Sequence, residues 1–267
     1  IAYYSTGNEI GRDDVRFVCN VDRCTDDDDE GTARFRISSK TPRADLDGIQ
    51  AEIVTPGVKL NWAPFIRTSS LSCVWAGVST ASTGSPWMQV GLTAERYVGE
   101  TDSKYYVYAE IETGPAGGVP FPFPIVEYLK DPGGNYVGWP VEAALFTIEI
   151  ADRSTGRIQA SMNGISLGEG YAAPMFQTAV FDNYQLGTEL AHSVDQMTGK
   201  SDNRCVCSKA MVRVLGEWKD ASIAAGDVKI TDLDKNGAEI NPPSSDEWGL
   251  SDVDARGFKT WDKVVEH

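Results

Sequence analysis

Apolar and polar residues alternate along most of this chain, the period-2 pattern of strands with one buried face. Val74-Trp75-Ala76-Gly77-Val78 and Trp87-Met88-Gln89-Val90-Gly91-Leu92 read as two such strands, with Gln89 twelve residues after Gly77. The aromatic run Tyr105-Tyr106-Val107-Tyr108-Ala109-Glu110-Ile111-Glu112 reads as a third. Further strands are expected at Arg34–Ser38, Ile49–Val54, Val58–Trp62, Ala144–Ile150, Arg157–Met162, Ala210–Leu215 and Val228–Ile230. Asp152 to Gly156 and Asn163-Gly164 carry the Gly and Asn that hairpin turns need. Helical periodicity is scarce, with a short helix at best between Asp252 and Glu266. Period-2 segments separated by such turns predict an all-β protein, a sandwich or barrel of antiparallel strands.

Composition divides the chain in three. Residues 1–57 are acidic and include Asp26-Asp27-Asp28-Asp29-Glu30, so they read as an N-terminal extension or small β subdomain. Residues 58–240 hold the aromatic strands and form the expected sandwich. Residues 241–267 are a polar tail with Trp248, Phe258 and Trp261 as isolated anchors. Within the sandwich, Gly114 to Pro124 is rich in Pro and Gly and reads as an extended loop.

The formal net charge of −15 excludes nucleic acid as an expected partner, since that binding rests on Lys and Arg neutralising phosphates. No apolar run approaches the ~20 residues of a membrane-spanning helix. The sequence begins at Ile1 without a Met, which fits a removed signal peptide, and a secreted, extracellular location is expected. On that compartment logic the five cysteines are expected to form disulfides. Cys19 and Cys24 would close a local loop, and Cys73 would reach Cys205 or Cys207 across the sandwich. Cys205 and Cys207 are two apart, face one side of a strand, and are poorly placed to bond to each other.

Several chemistries lack their residues. With only His192 and His267 available, neither in a nucleophile-elbow context, nucleophile–histidine sites have no seat. Zinc lacks a Cys-x-x-Cys pair. Asp232-Leu233-Asp234-Lys235-Asn236-Gly237 starts like a calcium loop, but its twelfth position is Pro243 rather than a bidentate Glu. An Asn-Gly hairpin is expected there, and the Asp26 to Glu30 run reads as a solvated loop. No metal or other cofactor is expected, calcium having only this weak support.

Gln89 and Glu189 remain. A lone amide between Trp87-Met88 and Val90-Gly91 must find hydrogen-bond partners wherever it is shielded from water. Trp75-x-Gly77-Val78 followed by Gln89-x-Gly91 resembles the glutamic peptidases (eqolisins) and their concanavalin-like relatives. The strands Tyr105 to Glu112 and Phe146 to Ile150, with the Met162-Asn163-Gly164 turn, are similar to that family's strand order. Tyr184-Gln185-Leu186-Gly187-Thr188-Glu189 falls where the family carries its catalytic glutamate, and Asp195 to Gly199 resembles a loop in bacterial members. The likeness spans roughly residues 58–238.

What the resemblance implies is a two-sheet antiparallel jelly-roll sandwich of concanavalin-like type and an acid endopeptidase. Glu189 would activate a water as general base, and Gln89 would orient it and donate to the oxyanion. Trp75 would wall the groove. Two departures stand out: Ser79-Thr80 replaces the family's Asp-Gly, and Leu190 follows Glu189 where the family has an aromatic residue.

Two other classes compete with the peptidase. A non-catalytic module would stack Trp75, Trp87, Tyr106 and Tyr108 on a polysaccharide or lay them along a peptide. A structural surface protein would self-assemble into homo-oligomers through its terminal extensions. Glu110 and Glu112, on one side of a strand, also give a weaker glycosidase reading.

Overall fold

In the computed structural model two antiparallel sheets pack face to face. The structure describes residues 2–3, 9–10, 33–39, 46–56, 58, 60, 69–80, 86–97, 103–112, 127–128, 142–167, 171–172, 174–190, 197–225, 228–233, 239–240 and 248–263.

The principal strands, in chain order, are β1 (Ala33–Ser39), β2 (Leu46–Val54), β3 (Ser69–Ser79), β4 (Trp87–Tyr97), β5 (Lys104–Glu112) and β6 (Ala144–Asp152). They continue as β7 (Arg157–Met162), β8 (Asn183–Leu190), β9 (Cys205–Val214), β10 (Val228–Leu233), β11 (Trp248–Asp254) and β12 (Gly257–Asp262). The first sheet runs β10-β1-β8-β3-β4-β5, flanked by the short strands Glu239–Ile240 and Glu127–Tyr128. The second runs β7-β6-β2-β9-β12-β11. Every pairing between these strands is antiparallel. The fold is the expected all-β, two-sheet sandwich.

Alternation puts one apolar set between the sheets. Val74, Ala76 and Val78 of β3 and Met88, Val90 and Leu92 of β4 bury in one cluster with Ile49, Ile53, Phe146, Ile148 and Val212 of the second sheet. The residues between them on β3 and β4, among them Cys73, Trp75, Gly77, Gln89 and Gly91, therefore project from the opposite, outer face. That parity places the site described below.

The strands depart from the sequence reading in four ways. β1 and β2 come from the expected N-terminal extension, yet β1 lies between β8 and β10 and β2 between β6 and β9. β11 and β12 come from the expected tail, and β12 pairs with β9. The boundary at 57 thus cuts through both sheets and the boundary at 240 through the second. The composition shifts were misleading because β11 has only one core face, and its outward residues are polar. Asp252 to Glu266 is likewise a strand–turn–strand hairpin where described, with no helix among those residues. Val58 and Leu60 are buried but belong to no strand. Their carbonyls accept from the Tyr105 hydroxyl and the Arg96 guanidinium, both at 2.9 Å, instead of a neighbouring strand.

The cysteine pairing is also corrected. Cys73, Cys205 and Cys207 are buried thiols. Cys205 and Cys207 point into the main core, whereas Cys73 clusters with Trp75 and Tyr108 on the outer face. The two sets lie on opposite sides of the first sheet, so no bond can join them. Burial raises the Cys205 thiol to about 11, against the pull of the Thr198, Thr55 and Thr260 hydroxyls, so it stays protonated and unreactive. Cys19 and Cys24 lie outside the described residues, as do Asp26 to Glu30, Gly114 to Pro124 and 234–238. The hairpin expected around that last segment is present as the pairing of β10 with Glu239–Ile240.

A buried polar knot anchors the chain beyond β8. The Thr188 hydroxyl lies 2.8 Å from both the Cys73 carbonyl and the Thr198 hydroxyl. Thr260 donates to the Thr198 carbonyl at 3.1 Å, and the Asp262 carboxylate accepts the Met197 N–H at 2.8 Å. Every group in this knot is shielded from water, so each bond also removes an unsatisfied polar atom.

Candidate functional site

The pairing register of β5, β4, β3 and β8 sorts the outer-face residues into rows. The first row runs Glu110, Gln89, Gly77, Gln185. The second runs Tyr108, Gly91, Trp75, Gly187, and the third Tyr106, Thr93, Cys73, Glu189. Every sequence-predicted site residue except Trp87 falls in these rows. Trp87 starts β4 on the same face, opposite Ser79.

Gln89 and Glu189 share this face but not a row. Glu189 lies four residues beyond Gln185 on β8, about 13 Å along the strand at ~3.3 Å per residue. The Trp75 row stands between them. The residue of β8 that faces Gln89 across Gly77 is Gln185, an amide in place of a carboxylate.

Gly77 makes that approach close. A Cβ at this position would stand 3.0 Å from the Gln89 Cβ and 2.7 Å from the Met88 carbonyl oxygen. Without one, the stem of Gln89 packs directly against the glycine backbone. Each amide is held by one N–H. Gln89 Nε2 donates to Glu110 Oε2 at 3.0 Å, and Gln185 Nε2 donates to Ser79 Oγ at 3.0 Å. Asn183 Nδ2 approaches the same Ser79 oxygen at 3.3 Å. These bonds use one of the two N–H donors of each glutamine and leave its carbonyl oxygen available. Both side chains are partly exposed.

The aromatic residues are not exposed. Trp75, Tyr106 and Tyr108 retain 3%, 2% and 7% of their surface, while Trp87 is half-buried. Burial pushes the Tyr108 hydroxyl well above its ordinary range, and Cys73, Glu110 and Glu189 add to the effect. Tyr108 is therefore neutral. The Trp75 indole N–H is buried without an acceptor among the described residues.

Gln185 is the residue that sequence reasoning passed over, and Glu110, read there as a glycosidase carboxylate with Glu112, is the hydrogen-bond partner of Gln89. Gln185 stood in the quoted stretch Tyr184 to Glu189 with the same strand parity as Glu189, but only register tells which of the two meets Gln89. Among the described residues no group of histidine, cysteine and carboxylate side chains is arranged to hold a metal ion. None of their helices is long and apolar enough to cross a membrane.

No family model and no curated protein matches the chain. The solved structures it is similar to include scytalido-glutamic peptidase with a peptide-based transition-state analogue, at 13% identity and a TM-score of 0.49 over 88% of this chain and 99% of that one. A second is SCP-B, a member of the eqolisin family in complex with the tripeptide Ala-Ile-His, at 12% identity and a TM-score of 0.48 with the same coverage. A third is the kappa-carrageenase of Pseudoalteromonas carrageenovora with an oligotetrasaccharide of kappa-carrageenan, at 7% identity and a TM-score of 0.27 over 89% of this chain and 87% of that one.

Proposed function

We propose that the outer face of the first sheet binds an extended peptide without cleaving it, and that the carboxamides of Gln89 and Gln185 grip its main chain. The observation that carries this reading is the row Glu110-Gln89-Gly77-Gln185. A main-chain amide offers one N–H and one C=O, and two carboxamides in one row of the face offer the complementary pair. Their backbones are two strand spacings apart, about 10 Å, which lets both side chains reach one bound strand.

Burial favours a peptide over a polysaccharide. Stacking on sugar rings needs an open aromatic face, and Trp75, Tyr106 and Tyr108 offer none. Register favours binding over hydrolysis. A general base must stand within hydrogen-bond reach of the water it activates, directly or through one more water. Glu189 is displaced along β8 from Gln89, and Glu110 already accepts the Gln89 N–H.

The test is retention on an array of extended peptides, followed by incubation with a denatured protein at pH 3 to 4, around the ordinary glutamate range near 4.3. The expected result is retention that weakens about tenfold in Gln89→Ala and in Gln185→Ala, with no cleavage. Each substitution removes one or two hydrogen bonds of about 1 kcal/mol. Cleavage by the wild type that disappears in Glu189→Gln would contradict this reading in favour of the Glu189/Gln89 peptidase. Cleavage lost only in Glu110→Gln would move the base to Glu110.

A further inference from the structure

We propose that a second site, on the outer face of the second sheet, binds a small monocarboxylate between Lys209 and Lys259. Both side chains line a cavity of about 200 Å³ where β9, β11 and β12 meet. Cys205 and Cys207 of β9 point into the core, so Val206 and the Lys259 paired with it face outward. The cavity therefore lies on the opposite side of the sandwich from Gln89, and the two sites stand or fall separately.

Backbone strain marks this place. Four non-glycine residues among the described ones have a left-handed φ. Asn163 and Leu215 open the turns Asn163-Gly164 and Leu215-Gly216, where that conformation is ordinary. Lys209, at 53°, and Asp252, at 52°, lie inside strands instead, and both line the cavity. Each sits in a bulge. Lys209 and Ala210 together oppose Ala51, and Asp252 and Val253 together oppose Phe258. Ala210 enters the core and Val253 packs against it, so the extra residue of each bulge is turned out of the alternation. Strain at two positions that converge on one cavity points to a use for the charged side chains it aims there.

Charge and size identify the ligand. The chain carries a formal charge of −15, yet Lys209, Arg256 and Lys259 line the cavity against the two carboxylates of Asp252 and Asp254. Lys209 Nζ meets both Glu52 carboxylate oxygens, at 3.0 and 2.8 Å, and Lys259 Nζ meets Asp252 Oδ2 at 2.6 Å. An ammonium has three N–H donors, so each lysine keeps at least one for a further acceptor. Asp254 Oδ1 already accepts the Arg256 main-chain N–H at 2.7 Å. Val206, the Gly257 backbone and Phe258 supply an apolar floor. A carboxylate held by two ammoniums, with a short alkyl body on that floor, uses both parts of the cavity. A phosphate dianion would meet more repulsion from the acidic chain and would leave the floor uncovered. The volume bounds the ligand too, since drug-sized molecules occupy about 300–1,000 Å³.

The test is an NMR titration of the isotope-labelled full chain with sodium butyrate, then with sodium phosphate, at neutral pH and constant ionic strength. The main-chain amide signals of Val206 to Lys209 and Asp252 to Lys259 are expected to shift saturably with butyrate. Lys209→Gly and Lys259→Gln should each weaken butyrate at least ~10-fold, the effect of losing one hydrogen bond to a charged group. Glycine takes the φ of position 209 without strain, so K209G is expected to fold. Should it not, K209N replaces it, because asparagine also tolerates that region. Lys219→Gln, whose lysine pairs with Glu217 outside the cavity, should bind as the wild type does. Shifts that spread over the surface without saturating would overturn the proposal, as would folded K209G and K259Q that bind like wild type. Phosphate binding more tightly than butyrate would overturn the carboxylate assignment. Movement of the Gln89 and Gln185 side-chain signals in place of these would put the ligand on the other face and overturn it as well.

Discussion

Gly91→Ala is expected to lower the unfolding free energy by more than ~3 kcal/mol, which in a chain of this size moves the melting temperature down by about 6–12 °C. Gly91 lies between Trp75 and Tyr108 in the second row of the outer face. A Cβ there would run into the Val74 carbonyl oxygen and stand 2.8 Å from the Trp75 Cα. Both are backbone atoms of the adjacent strand, so no rotamer change relieves the conflict and β3 must move away from β4. That movement would also disturb the row of Gln89 two residues earlier. Thermal unfolding of the variant checks the claim, and a shift under about 2 °C would mean that the two strands are less tightly apposed than described.

Trp75→Ala is expected to cost about 3–5 kcal/mol, the range for deleting a large buried aromatic side chain. Trp75 is 3% exposed and packs with Cys73 and Tyr108 in a small cluster separate from the main core. Its loss leaves a cavity on the outer face beneath the space between the Gln89 and Glu189 rows. Trp87→Ala is the matched control, since Trp87 begins the same strand pair on the same face but is only half-buried. Denaturant unfolding of the two variants should give a clearly larger loss for Trp75. Equal losses would indicate that Trp75 is an exposed stacking platform, as a sugar-binding module requires.

The architecture was legible in the sequence wherever a strand has one face in the core. Val74, Ala76 and Val78 alternate against Trp75 and Gly77, and the structure buries the first set between the sheets. The same parity places Gln89 and Glu189 on the outer face, and it holds however the strands pair. Register is different in kind. Gln185 pairs with Gly77 from a distant part of the chain, and no local pattern records that match. Reading Glu189 as the partner of Gln89 put the carboxylate on the correct face and two rows away. The domain boundaries suffered from a related blindness. Acidic and polar composition marks what a strand shows to water, and β1, β2, β11 and β12 pair within the sheets regardless. The aromatic residues of β5 failed as stacking groups because burial depends on what covers a face.

Disulfide pairing shows the limit of compartment logic. The odd-numbered parity of Cys73 on β3, beside inward Val74 and Ala76, already turned its thiol away from the core that holds Cys205 and Cys207. That conflict was available from alternation alone. It became visible only once the inward set of β3 was fixed by packing against the second sheet.

A ligand is expected to sit at the carboxamides of Gln89 and Gln185, which share one row on either side of Gly77. The most direct measurement is the NMR signal of glutamine side-chain amides during titration with a retained peptide. The Gln89 and Gln185 NH2 resonances are expected to shift together and saturate with the same dissociation constant. Gln159, on β7 of the other sheet with its amide on Ser166, should stay still. Saturable binding that leaves both the Gln89 and Gln185 resonances unmoved would contradict it.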